Sequence, residues 1–230
     1  MKRFYAKAEV ADVNQGFEVQ LDGRPVRTPA RNALILPTLA LAAASAVEWN
    51  GQDGEMDIVA MPMTAFAYAA VDRIGPAMGT FSLEAARFAE TDLLCYRAPE
   101  PPVLRARQDA AWAPILQWLE QRYGAKLLLA EGIMPIKQPE AALHAVRDAF
   151  DQFDAFQLTT AHSAARIVGS AGITLALMAG EIDANKAALI ADIDDVYQLE
   201  KWGEDEEARA LISRRQADLT EIGRFLDLLN

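Results

Sequence analysis

Along the first forty residues, apolar and polar positions change with a period of two. Phe17-Glu-Val-Gln-Leu21 alternates strictly, the mark of a strand with one wet face. Phe4 to Val13 reads as a strand before it, with Asn14-Gln-Gly16 as the turn between. Asp22-Gly23 is a two-residue hairpin turn, since glycine takes positive φ without steric cost. Arg24 to Thr28 returns, and Ala33 to Leu36 is a fourth short strand. The result is an antiparallel meander whose apolar face needs a cover. From Thr38 the period becomes helical. Thr38 caps a helix through Trp49, with Leu39, Ala42, Ala43, Ala46 and Trp49 along one face, and Asn50-Gly51 ends it. A second helix begins at Pro62, where a missing N–H costs nothing, and runs to about Ile74. Gly75-Pro76 breaks the chain and marks a domain boundary.

Beyond Thr80 the pattern is almost wholly helical. The expected helices are Ser82 to Asp92, Val103 to Trp112, Pro114 to Tyr123, Glu140 to Gln152, Ala155 to Val168, Ala171 to Ala179, Ala184 to Trp202 and Asp205 to Leu229. Lys126 to Ala130 is either a lone strand or part of a connection. Arg97 to Pro102 contains three prolines, which deny helix and make a stiff connector. Small residues crowd Ala161 to Gly180, as expected of a central helix or helix pair that neighbours approach closely. The pattern predicts an α+β chain, with a small N-terminal antiparallel β domain and its covering helices over 1–76. A larger all-helical C-terminal domain follows over 77–230.

Charge and composition narrow the function. The chain has 230 residues and a net charge of −11, which argues against nonspecific nucleic-acid binding and against an anionic membrane surface. The longest apolar run, Ile167 to Ala179, is interrupted by Gly169 and Gly172 and falls short of the ~20 residues a span needs. The first ten residues contain no apolar signal core. A start at Met1 points to a bacterial cytoplasm, or to the mitochondrial matrix if a transit peptide has been trimmed. Cys95 is the one cysteine, so no intramolecular disulfide forms, and its apolar neighbours fit a small buried hydrophobe. His144 and His162 lack partners at metal-ligand spacing. Gly169-Ser-Ala-Gly172 lacks the preceding strand and third glycine of a dinucleotide loop.

The segment from Asp192 to Glu207 stands apart. It places eight carboxylates and one lysine around Tyr197 and Trp202. One reading is hard-cation chemistry, a metal-dependent hydrolase using Asp192, Asp194, Asp195 and Glu48, although the calcium-loop pattern is absent. Another is a docking surface. On a helix, Asp194, Gln198 and Trp202 form one stripe, and aromatics ringed by carboxylates are the material of binding hot spots. The plain alternative has Trp202 and Leu199 packed inside with the acids facing water.

A set of ordered motifs decides among these. Arg3-Phe-Tyr, the hairpin Leu21-Asp-Gly-Arg-Pro-Val-Arg-Thr-Pro29, Leu36-Pro37, Glu48-Trp49 with Gln52, and Met61-Pro62 with Thr64 come first. Ala69 to Asp72, Thr91-Asp-Leu-Leu-Cys-Tyr-Arg97, Gln108, Trp112, Gln198 to Gly203 and Asp205 complete the set. In this order and spacing the chain resembles the assembly chaperones of the ATP synthase F1 sector that handle the alpha subunit, found in mitochondria and related bacteria. The resemblance covers nearly the whole chain. It implies a small β domain followed by a helical domain, no catalytic turnover and no cofactor. It also implies that the chain binds the free alpha subunit until it meets the beta subunit; the sequence leaves the oligomeric state open, with a monomer favoured. The family's important acidic position falls on Asp194 and Asp195, and the partner-binding set it implies is Asp194, Asp195, Gln198, Glu200, Trp202 and Asp205. The family pattern has glutamate and tryptophan where this chain has Asp195 and Tyr197, so the carboxylate here is shorter. Trp49 is expected to pack. Arg24, Arg27 and Thr28 either support the hairpin or touch the partner. Because an exposed charge reversal costs little stability, Asp195→Lys is expected to weaken partner binding and spare the fold.

Overall fold

The structure is a computed structural model that describes residues 2–203 and 205–230. Asp22 and Gly23 both take positive φ, 49° and 79°, the mirror-image turn that matches the right-handed twist of the strands it joins. Strands β1 (Ala8–Val13) and β2 (Gly16–Leu21) pair antiparallel, with Ala8 opposite Leu21, and β3 (Arg24–Pro25) pairs with β2 on its other side. The first strand starts at Ala8, later than the pattern suggests. The Asp22 carboxylate takes the Ala6 and Lys7 N–H groups at 2.9 Å each, withdrawing them from any ladder. These two bonds hold the Asp22 carboxyl below its usual range.

The expected fourth strand, Ala33 to Leu36, is reduced to two isolated bridges, Arg27 with Ala33 and Phe17 with Leu36. Arg31 turns through a φ of 67° just before the segment, and Pro37 just after it has no N–H to extend a ladder. At the second bridge the backbones come very close. A Cβ on Gly16 would lie 2.4 Å from the Leu36 carbonyl oxygen, so only glycine fits there.

Helix α1 (Leu39–Asn50) is capped as expected, the Thr38 hydroxyl accepting from the Leu41 N–H at 3.1 Å. Its buried face differs from the predicted one. Leu39 and Ala43 are exposed, and the stripe turned inward is Leu41, Ala42, Ser45, Ala46, Glu48 and Trp49. Glu48 is drawn in because it caps the next helix, α2 (Pro62–Ala69). Its carboxylate accepts from the Met63 N–H at 2.7 Å and from both the N–H and hydroxyl of Thr64 at 2.8 Å. Free N–H groups at a helix start favour such a negative partner.

Gly75-Pro76 does not break the chain. Winding continues from α2 through a π turn (Ala70–Ile74) and a 3-10 turn (Gly75–Ala77) into α3 (Met78–Ala86). Pro76 falls in the first turn of the tight segment, where its missing N–H is tolerated.

The described residues form two compact units. The first contains the residues up to Met78 together with Asp154–Thr160 and Arg224–Asn230, and the second contains Gly79–Phe153 and Ala161–Gly223. The main segment of the first unit ends at Met78, two residues past the expected boundary at 76, and two later segments join it. Segments from late in the chain return to cover the sheet's apolar face. Phe225 is fully buried in the same core as Val19, Leu36, Leu41, Trp49 and Met61, its ring 5.2 Å from that of Phe66.

The second unit is helical: α4 (Pro102–Tyr123), α5 (Glu140–Phe150), α6 (Ala155–Val168, whose first residues belong to the first unit), α7 (Ala171–Met178), α8 (Ala184–Ala191), α9 (Ile193–Trp202) and most of α10 (Glu206–Leu229). The two helices expected on either side of Pro114 are one. Gln108, Trp112, Ile115 and Leu119 are all buried along a single face of α4, and their packing outweighs the ~3 kcal/mol that an internal proline costs. The single helix expected from Ala184 to Trp202 is two. The backbone leaves helical geometry at Asp192 (φ −92°, ψ 5°). Lys126 to Ala130 is a connection that ends in a two-residue strand, β5 (Ala130–Glu131), parallel to β4 (Tyr96–Arg97). The small-residue segment is the centre of this unit, and every side chain of α7 from Ala171 to Leu177 is buried.

Candidate partner-binding face

Helix α9 carries most of the candidate set, and three ties fix its position. At its start, Asp192 is 1 % exposed and receives the Arg215 guanidinium from α10. The same nitrogen of Arg215 donates to Asp195 at 3.0 Å. On the α4 side, the Gln108 amide donates to Asp194 at 2.7 Å while its oxygen accepts from the Ala98 N–H. Arg107 pairs with Glu200 at 2.8 Å and lies 5.4 Å over the Tyr197 ring. The Trp112 indole also donates to the Ile190 carbonyl at 3.0 Å, tying α4 to the end of α8.

The six predicted residues thus divide. Asp194, Asp195 and Glu200 are engaged by Gln108, Arg215 and Arg107 within the unit. Asp205 caps α10, accepting from the Glu207 and Ala208 N–H groups at 2.9 and 3.2 Å. Gln198 is exposed, and Trp202 is 81 % exposed at the C-terminus of α9. The aromatic that packs inward is Tyr197, which is buried. Val196 and Leu211 add exposed apolar surface to the second unit. A shallow groove of about 490 Å³ runs beside the first turns of α10, lined by Asp205, Glu207, Ala208, Ala210, Leu211 and Arg214. Glu204, part of the acidic run, lies outside the described residues.

Burial, followed by the neighbouring Asp194 charge, raises the Asp195 carboxyl above its usual range, and burial lowers Arg215. Desolvation works against both charges, and each supplies the other's counter-charge. Asp194 and Asp195 in the first turn of α9 also face the positive end of the helix dipole. Arg107 and Arg215 carried no signal in the sequence. They are ordinary cations on helical faces, and their role appears only once α4, α9 and α10 come together.

The hydrolase reading loses its ligands. Both oxygens of Glu48 are consumed as the cap of α2, and Asp192 faces Arg215. Among the described residues no group of three or more His, Cys, Asp or Glu is placed to hold a metal ion. Cys95 is fully buried, its thiol pushed up to about 12 by burial and then by the Asp92 charge. His162 is buried 3.0 Å from the Glu84 carboxylate, with the Phe81 ring edge-on to it, while His144 is exposed.

The sequence model of the ATP12 chaperone protein matches residues 2–120, just over half of the chain. The chain belongs to the ATP12 chaperone family. Protein atp12, mitochondrial, of Schizosaccharomyces pombe is 23% identical over 222 residues, covering 91% of this chain and 76% of that protein. The crystal structure of Atp12 from Paracoccus denitrificans is 35% identical, with a TM-score of 0.96, and the match covers 100% of this chain and 98% of that one. An Asp-to-Lys variant of the P. denitrificans protein matches equally well.

Several motifs of this ATP12-family chain prove to be structural. The Arg3 guanidinium donates to the carbonyls of Tyr5, Ala6, Asn50 and Gln52. Asp92, fully buried, accepts from the Leu94 and Gly172 N–H groups at 3.0 Å and so holds the start of α7. Arg97 is buried over the Trp112 ring and bonds Asp109 and the Leu94 carbonyl. Among the described residues no helix is long and apolar enough to cross a membrane.

Proposed function

We propose that this protein binds the free alpha subunit of the ATP synthase F1 sector and hands it to the beta subunit, with no catalytic turnover and no cofactor. The observation that carries this reading is Trp202. An indole 81 % exposed, at the tip of a helix held by Arg107, Gln108 and Arg215, is a preorganised anchor of the kind that dominates binding energy. Gln198 and Trp202 touch the partner directly. Glu200 and Asp205 form a charged rim that speeds encounter and rejects acidic surfaces, and Asp194 and Asp195 set the pose of the helix. An unassembled subunit exposes an apolar interface prone to aggregation, and a reversible cap on that interface suppresses wrong association. The protein acts as a monomer, in the bacterial cytoplasm or the mitochondrial matrix.

Family membership supports the assembly role, and the alpha subunit is the partner that the sequence motifs imply. Tagged protein expressed in the source cell is expected to co-purify with the alpha subunit, and its deletion is expected to deplete assembled F1. Normal F1 levels after deletion would contradict the proposal.

A further inference from the structure

A groove of about 440 Å³ opens on the first unit, between the β2–β3 hairpin and segment 56–61. Phe4, Val26, Trp49, Met56, Ile58 and Met61 give it apolar walls, and its size falls in the range of ligand-binding clefts. Three features separate it from a packing defect. Phe4 and Ile58 leave large apolar surfaces in water, 65 % and 47 % exposed. The Trp49 side chain is almost entirely buried, yet its indole N–H has no acceptor, a rare state for a buried donor. Arg24 and Arg27 line the groove with exposed side chains, and neither is paired with a carboxylate among the described residues. Two unpaired guanidiniums beside an apolar cleft are unexpected in a chain of net charge −11. Tyr68 adds a phenol to the lining, kept protonated because burial and the Asp72 charge push it up to about 12.

We infer that this groove takes an extended segment of the client polypeptide. An apolar side chain enters between Val26, Ile58 and Met61, packing toward the Trp49 ring, and an adjacent Asp or Glu pairs with Arg24 and Arg27. Charge complementarity selects the occupant, since an acidic–apolar peptide suits both the walls and the rim. Its origin in a client chain rests on the chaperone reading above. The groove belongs to the first unit and shares no residue with α9, and it supplies a second, sequence-tolerant contact, which raises avidity without new interface on α9.

The test is a titration of the ¹⁵N-labelled full chain with the peptide acetyl-Phe-Leu-Asp-Leu-Phe-amide, followed at the tryptophan indole resonances. The Trp49 indole signal is expected to shift. The peptide with Asn in place of Asp is expected to bind about tenfold more weakly, the loss of one partly desolvated ion pair. The variant Arg24→Glu/Arg27→Glu is expected to lose the same factor for the Asp peptide, and Ile58→Glu, at an exposed position, to abolish the Trp49 shift. An unmoved Trp49 signal, equal affinity for the two peptides, or binding of decanoate without binding of the peptide would overturn the inference. If the peptide behaves as expected but isolated alpha subunit is not retained by the chain, the groove stands and the assignment of partner fails. If alpha subunit is retained and Trp49 does not respond, the groove alone fails.

Discussion

The Asp195 carboxylate accepts a hydrogen bond from Arg215 at 3.0 Å, through the nitrogen that also reaches the buried Asp192. A residue that the sequence presents as a surface acid is therefore one arm of a three-residue lock between α9 and α10. The sequence-based expectation for Asp195→Lys changes accordingly. A lysine there faces Arg215, and the expected stability loss is about 1–2 kcal/mol, moderated by the half-exposed setting. Asp195→Asn keeps an acceptor and is expected to fold normally. Arg215→Ala strands the Asp192 charge and is expected to cost about 3–5 kcal/mol. Urea denaturation of the three variants checks this order, and equal stability of Arg215→Ala and the unmodified chain would refute it.

Glu48 caps α2 from a distance. Glu48→Gln turns an amide N–H₂ toward donors that need an acceptor, leaving at least one backbone N–H of Met63 or Thr64 unpaired. The expected loss is about 2–4 kcal/mol, on the order of 5–15 °C in Tm for a chain of this size. Thermal denaturation followed by circular dichroism measures it.

Cys95 is inert in the folded protein. Its buried thiol, pushed up to about 12, yields almost no thiolate at pH 8. With Ellman's reagent, native protein is expected to give no colour within minutes, and protein in 6 M guanidinium one thiol per chain. Prompt labelling of the native state would show that the core around Leu94 and Leu175 opens readily.

Acid sensitivity follows from carboxylates held low. The Arg147 guanidinium, with help from the Ser82 hydroxyl, depresses Asp151. At Asp72, burial pushes upward, but hydrogen bonds from Thr28, Ala30 and Asn32 outweigh it and leave the group low. A depressed carboxyl contributes stability that is complete above its unfolded pKa of about 3.9 and is lost as pH falls through the folded value. Asp92 has the opposite sign: burial raises it, so its contribution declines as pH rises past about 4. Asp151→Asn is expected to lower Tm at pH 7, with the gap to the unmodified chain closing below about pH 4. A gap that stays constant down to pH 2 would contradict the assignment.

The sequence was most legible where local chemistry decides the conformation. Asp22-Gly23, the Thr38 cap and the α6 and α7 spans all follow from turn residues, capping hydroxyls and apolar periodicity. It was least legible where tertiary contacts override local preference. Pro114 sits inside one continuous helix because Trp112 and Ile115 pack on the same face. Asp192 divides a helix that its neighbours favour, and Gly75-Pro76 tightens the winding without ending it. The return of Phe225 to the core of the first unit has no local signature. For the candidate face, the acidic run and Trp202 were visible as a pattern. The division into tethered acids and a free indole depended on Arg107, Gln108 and Arg215, which only the fold brings together.

The most direct test is the affinity of purified alpha subunit for the full chain and for Trp202→Ala, measured by biolayer interferometry alongside the Tm of each. The side chain is exposed, so Tm is expected to stay within a degree or so. Binding is expected to weaken by tenfold or more, as removal of an anchoring tryptophan costs about 2 kcal/mol or above. Unchanged affinity of Trp202→Ala, or failure of the unmodified chain to retain the alpha subunit, would contradict the account.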